Sequence, residues 1–262
     1  MFKTLLARAR QGYRTSSYPA EEPVLPALFR GRPESDPERC ITGCVDCVAA
    51  CPTGALTLGD AGPALDLGRC IFCAECTAAC PAGAISFTRD WRLAASTRGD
   101  LIVTGATRPQ VEALGRELRR LLGRSLRLRQ VSAGGCNGCE VEANALGNVV
   151  FDAGRFGIEF VASPRHADGI LVTGPVTENM REALLITYEA VADPKIVIAA
   201  GACAISGGLY RGNPEVCDGI EGLVPVDLYI PGCPPHPATI LDALLRLLGR
   251  SAPSTEVQQT TS

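Results

Sequence analysis

A chain of 262 residues has room for one large domain and a small one. Its 46% hydrophobic and 20% charged residues are ordinary for a globular protein and argue against a disordered chain. A net charge of −3 and 5% aromatic residues give no support to a nucleic-acid partner.

Thirteen cysteines depart from that ordinary picture. An odd count, clustered as CxxC, does not suit a disulfide framework. No signal peptide is visible, and Arg8 and Arg10 are not adjacent as a twin-arginine signal requires. No apolar run approaches the roughly 20 residues of a membrane span. A reducing cytoplasm is the expected compartment, and there clustered cysteines point to metal.

Residues 1–38 read as an amphipathic helix and an extended arm. Phe2, Leu5, Leu6 and Ala9 share one helical face, bordered by Lys3, Arg8, Arg10 and Arg14. Such a helix suits an anionic membrane surface or a partner subunit, and a solvated leader helix is the bland alternative. Pro19, Pro23, Pro26, Pro33 and Pro37 then keep the chain extended. Val24, Leu25, Leu28 and Phe29 make this arm a candidate strap for a neighbouring protein.

Residues 39–95 contain a repeat with a period of about thirty residues. The copies are RCITGCVDCVAACPTGALTL and RCIFCAECTAACPAGAISF. The pattern C-x2-C-x2-C-x3-C-P is that of bacterial ferredoxins with two 4Fe–4S clusters, in which the fourth cysteine serves the other cluster. Cys40, Cys44, Cys47 and Cys80 are the expected ligands of a first cluster, and Cys70, Cys73, Cys76 and Cys51 of a second. Pro52 and Pro81 end the metal loops, and ALTL and AISF read as short strands. One departure stands out. Three residues, not two, separate Cys40 from Cys44, so a three-iron cluster is the alternative at that site. Structural zinc is the competing metal, but zinc sites seldom show this crossed, duplicated arrangement.

Residues 96–130 read as a connector without catalytic chemistry. LIVT is strand-like, and a helix is predicted over PQVEALGRELRRLLGR, with Val111, Leu114, Leu118, Leu121 and Leu122 on one face and Glu112, Arg116, Arg119 and Arg120 opposite. SLRLRQVSA alternates as a strand and leads to Cys136.

Residues 131–250 alternate strands with helices, which predicts an α/β fold with a flavodoxin-like parallel sheet. Sites in such sheets gather at the carboxyl ends of strands. Cys136 and Cys139 follow SLRLRQVSA, Cys203 follows KIVIAA and Cys233 follows VDLYI, so one site of four thiolates is expected there. Gly249 is the expected stop of the last helix, and residues 251–262 read as a polar disordered tail.

GCNGCE, FGIEFVASPRHADGILVTGPVT, TYEAVADPKIVIAAGACAISGG and PGCPPHP resemble the small subunits of energy-converting, membrane-associated nickel–iron hydrogenases, including the formate hydrogenlyase type. The related complex I subunit, which carries the terminal cluster beside the quinone, is similar as well. Residues 1–95 resemble the two-cluster ferredoxin subunit of the same complexes, so the chain looks like a fusion of two neighbouring subunits.

The complex I subunit has tandem cysteines where Asn137 and Gly138 separate Cys136 from Cys139, as in the hydrogenases. The resemblance implies three 4Fe–4S clusters, the proximal one on Cys136, Cys139, Cys203 and Cys233. It also implies a nickel–iron large subunit, integral-membrane subunits and an electron-donor or acceptor protein as partners, on the cytoplasmic side of the membrane. The nickel–iron site itself is expected in the large subunit.

Glu142 matches an acid beside the cluster in both families, and Arg165 and His166 are expected near the cluster or a partner. His236 is expected to be structural and Cys217 to be a free thiol. A quinone-reducing relative, a soluble hydrogenase small subunit and a zinc-stabilised interaction module are the alternatives.

Overall fold

A computed structural model describes residues 2–59, 62–122 and 125–250, and the tail expected at 251–262 lies outside them. The predicted leader helix is present as α1 (Phe2–Gln11), with Phe2, Leu5 and Leu6 exposed and none of its residues buried.

The arm that follows packs on its own chain, where the sequence pointed to a neighbour. Ser16 N donates to Val150 O at 2.9 Å, and Arg155 donates to the carbonyls of Ser16 and Tyr18 at 2.7 and 2.8 Å. Tyr18 is buried, and Leu25 and Phe29 pack on the core, while Val24 and Leu28 face solvent. The physical reason is alternation: an extended segment turns successive side chains to opposite sides, so half of the apolar set can reach the core.

The cysteine repeat follows as β1 (Pro33–Ser35), α2 (Asp46–Ala49), β2 (Leu56–Gly59), β3 (Gly62–Asp66), α3 (Glu75–Ala79) and β4 (Ile85–Phe87). The arm's β1 pairs antiparallel with β4. β2 pairs with β3, and β3 with β5 (Ile102–Thr104), a strand that the sequence places in the connector.

The connector helix starts later than predicted. Among the described residues of that stretch, α4 (Arg116–Leu122) is helical, and 123 and 124 lie outside them. Before it, Glu112 N binds Ser96 Oγ at 2.8 Å and Leu114 N binds Leu247 O at 2.9 Å. Those tertiary bonds hold the segment extended, although Val111, Leu114 and Leu118 still pack on the core as the periodicity requires.

The second half runs β6 (Leu126–Ser132), α5 (Gly138–Ala145), β7 (Ile158–Phe160), β8 (Gly169–Thr173), α6 (Glu178–Glu189), β9 (Ile196–Ala200), α7 (Ala202–Ser206), β10 (Leu228–Ile230) and α8 (Pro237–Leu247). Its five strands form one parallel sheet in the order β10-β9-β8-β6-β7. That is the expected flavodoxin-like order, in which direction of winding reverses between β6 and β8. β8 and β9 are buried along their whole length and are correspondingly rich in Ile, Val and Leu. Gly249, with φ of +67°, ends α8 as expected.

Alternate residues of this sheet feed two cores. Leu171 and Ile198 join α8, Tyr18 and Trp91 on one side. Ile170, Val172, Val197 and Ala199 join Leu184 and, from the cysteine repeat, Leu56, Leu65, Ile85 and Val103 on the other. The small module is therefore part of one core with the parallel sheet. Ser206 Oγ donates to Gly68 O at 2.9 Å, Arg98 makes a two-pronged pair with Asp66 at 2.8 and 2.6 Å, and Ala95 and Tyr229 exchange backbone bonds at 3.0 and 2.9 Å.

Candidate metal centres

Three sets of four cysteines each line a cavity. Cys40, Cys44, Cys47 and Cys80 line one of about 310 Å³, walled by Ile41, Pro63, Pro81 and Ile85. Cys51, Cys70, Cys73 and Cys76 line another of about 310 Å³, walled by Pro52, Leu56, Leu65 and Phe87. Each set thus takes its fourth cysteine from the other repeat. The longer Cys40–Cys44 spacing does not remove Cys40 from its set. Gly43, exposed and with φ of +80°, lies in that lengthened loop, in a conformation that glycine adopts at little cost.

The repeats also match in their hydrogen bonds to sulfur. Ala55 N donates to Cys51 Sγ at 3.2 Å, and Ala84 N to Cys80 Sγ at 3.2 Å. Both bonds come from the same Cys-Pro-x-Gly-Ala stretch. Phe72 N adds a third, to Cys70 Sγ at 3.3 Å. Amides aimed at sulfur favour the thiolate over the thiol.

Cys136, Cys139, Cys203 and Cys233 line a third cavity, of about 400 Å³, with Gly135, Gly138, Glu140 and Gly174. The loops that carry them leave β6, β9 and β10 at their carboxyl ends, the convergence expected from the sequence. Two glycines make it possible. A Cβ on Gly174, with φ of +83°, would lie 2.6 Å from Gly135 N, so the loops after β6 and β8 can touch only without side chains. A Cβ on Gly201, with φ of +92°, would lie 2.5 Å from Cys139 Sγ. Cys136 and Cys233 are exposed, so this cavity opens at the molecular surface.

Burial pushes the thiols up. Cys70 is raised to about 12 mainly by desolvation, and Cys203 to about 11 by desolvation and then by Cys233 and Cys136. Cys139 is raised by burial first and then by Cys203 and Glu140. Cys47, Cys76 and Cys233 are raised as well, again chiefly by burial. Four thiolates side by side need a cation to offset their charge, so metal binding and proton release are coupled at all three sets. The donors are soft and all of one kind, which suits iron–sulfur clusters. Among the described residues no three His, Cys, Asp or Glu side chains close on the point that a single ion would occupy. The thiols line three cavities, an arrangement that suits a cluster.

The remaining candidates separate. Glu142 does not line the third cavity. It sits half-buried in a cleft of about 980 Å³ with Phe29, Arg30, Cys73, Cys233 and His236, and burial raises its carboxyl. His236 caps α8, its Nδ1 accepting from Ala238 N at 3.1 Å, and burial lowers it. Arg165 and His166 are exposed on a 3-10 turn and do not line the thiol cavity. Cys217 belongs to none of the three sets and donates to Glu178 Oε1 at 3.2 Å. No motif marks Glu140, Ser132 or Thr173, yet the three meet beside the third set. Glu140 is buried, and its Oε1 accepts from Ser132 Oγ at 2.6 Å and from Thr173 Oγ1 at 2.7 Å. The only local signal is an acid directly after Cys139.

Comparison with known proteins matches these two halves separately. The family described as NADH ubiquinone oxidoreductase, 20 Kd subunit, matches residues 136–247, and a 4Fe-4S dicluster domain matches residues 39–84. The chain is 40% identical to the "Probable membrane-bound hydrogenase subunit mbhJ" of Pyrococcus furiosus over 58% of its own length and 90% of the relative's. It is 46% identical to formate hydrogenlyase subunit 7 of Escherichia coli, over 53% of this chain and 54% of that one. It is 47% identical to an NADH-quinone oxidoreductase subunit of Thermobifida fusca, over 42% of this chain and 59% of that one. The chain therefore spans little more than half the length of the last two relatives.

Proposed function

We propose an electron-transfer role for this chain, which belongs to the NADH ubiquinone oxidoreductase 20 Kd subunit family and carries a 4Fe–4S dicluster domain ahead of the matched region. It is the electron-transfer subunit of a membrane-associated hydrogenase complex, as its hydrogenase and formate hydrogenlyase relatives support. It holds three 4Fe–4S clusters, on Cys40/Cys44/Cys47/Cys80, on Cys51/Cys70/Cys73/Cys76 and on Cys136/Cys139/Cys203/Cys233. The observation that carries this reading is the gathering of twelve of the thirteen cysteines around three cavities, four to each. When bound, such clusters supply one-electron transfer between a redox partner and a nickel–iron large subunit.

The chain's own residues perform the rest. Thiols hold the metal, backbone amides of Ala55, Ala84 and Phe72 hydrogen-bond sulfur, and Leu56, Leu65 and Ile85 give the first two sets apolar walls. The third set opens outward through Cys136 and Cys233, with Val141 exposed on the neighbouring α5, and this is the face offered to the large subunit. The cleft with Cys73 and Cys233 on its walls supports the second set as the neighbour of the third. The order first, second, third follows, with a donor or acceptor protein at the first. No helix among the described residues is long and apolar enough to cross a membrane; the proposed contact with integral-membrane subunits is peripheral, and its proposed side is cytoplasmic. The exposed apolar face of α1 and its basic border suit that contact.

The test is spectroscopic. The purified complex should show iron and sulfide for three clusters and three reducible signals. Cys203→Ser should remove the third cluster and stop hydrogen turnover while the other two signals remain. Unchanged turnover in that variant would show the ligand set to be wrong. The relation to quinone oxidoreductases supplies a second reading, and quinone reduction without hydrogen turnover in the parent complex would favour it.

A further inference from the structure

We infer that Glu140 places a buried negative charge at the third cysteine set and holds the cluster there at a lower potential than its four thiolates alone would give. This rests on the proposed third cluster. Glu140 is 6% exposed and lines the same cavity as Cys136, Cys139, Cys203 and Cys233. Ser132 ends β6 and Thr173 ends β8, paired directly across the sheet where the winding reverses. Both hydroxyls donate to a single oxygen, at 2.6 and 2.7 Å, the lengths of bonds from a hydroxyl to an ionised carboxylate. The hydrogen-bond partners are neutral, so they fix the carboxylate in place and leave its charge uncompensated.

That arrangement is costly for stability alone, because a buried charge is ordinarily paired. It becomes intelligible if the charge acts on its neighbour. Each electron added to a four-thiolate cluster increases negative charge in a site already holding a carboxylate, and in a poorly solvated place the repulsion is only weakly screened. Neither of the other two cavities has a carboxylate among its described lining residues, and in both a backbone amide points at sulfur, which favours the added electron. Glu140 therefore separates the third set energetically from the first two.

The experiment uses the full chain with its clusters bound. Glu140→Gln keeps an oxygen for the two hydroxyls and removes the charge, and Glu140→Ala removes the charge without that oxygen. A redox titration followed by electron paramagnetic resonance should show the third cluster's reduction equilibrium moving about tenfold toward the reduced form, about 59 mV upward for one electron. The other two clusters should keep their potentials. An unshifted third signal in both variants overturns the inference. So does an equal shift of all three signals, or loss of the third cluster in both variants, which would give Glu140 a purely structural role. A parent protein with only two reducible clusters overturns the three-cluster reading itself, and that outcome is visible before any variant is made.

Discussion

Cys40 concentrates what spacing can and cannot say about a single residue. The extra residue before Cys44 made it the doubtful ligand, because a loop lengthened by one can turn its thiol away. In the fold, Gly43 takes up the lengthened loop, and Cys40 lines one cavity with Cys44, Cys47 and Cys80, the last from the other repeat. We expect Cys40→Ser to leave a three-iron cluster at the first site, seen as a new signal in the oxidised protein, with the second and third clusters unaltered. A spectrum identical to the parent's would remove Cys40 from the ligand set. The gathering of twelve thiols in three groups was legible, eight from a repeated spacing and four from their places at strand ends. Glu140 was not, because its role depends on Ser132 and Thr173, brought together only by the pairing of β6 with β8. Glu142, the acid that resemblance selected, lies on the same helix but faces a different cavity.

The elements were legible wherever a period ran uninterrupted. The apolar runs of β8 and β9 and the alternation of β6 gave strands, and Pro237 and Gly249 bracket α8 as start and stop signals. The arm and the start of the connector were not, since each is shaped by single bonds to distant partners. Tyr18 shows the strength of such a bond. Its hydroxyl donates to Asp242 Oδ1 at 2.6 Å, and Arg246 Nε donates to the other carboxylate oxygen at 2.8 Å. Burial, and then Asp242, push the phenol up, so it remains a donor across the working pH range. Tyr18→Phe leaves a buried carboxylate oxygen short of its donor, at a cost of about 1–3 kcal/mol. The thermal midpoint should fall, and limited proteolysis should cut the arm between Tyr18 and Arg30 faster than in the parent. A midpoint and a cleavage rate equal to the parent's would show that Arg155 and the apolar contacts of Leu25 and Phe29 hold the arm without Tyr18.

At the scale of the molecule, the joining of the two halves is what the sequence left unread. Leu56, Leu65 and Val103 share no period with Val172 and Val197, yet all five lie in one core. That shared core, with the Arg98–Asp66 pair and the Ser206–Gly68 bond, fixes the repeat against one side of the parallel sheet. Rigid joining matters for electron transfer because the gap between centres must not vary. Cys73 of the second set and Cys233 of the third line one cleft, which supports the second set as the third's neighbour. Breaking the middle of the series should therefore divide the chain into two electrical halves. In a complex carrying Cys73→Ser, hydrogen should still reduce the third cluster at the parent's rate. Rapid-freeze spectra should show the first cluster remaining oxidised over times in which the parent reduces it fully. Reduction of the first cluster at an undiminished rate would mean that it exchanges electrons with the third directly, and the linear order would be wrong. Iron content read alongside distinguishes a blocked route from a collapsed module, because the variant must retain the first cluster for its oxidation state to be observed. The joint between the halves supports that retention: Leu56, Leu65 and Val103 share one core with the strands of the parallel sheet.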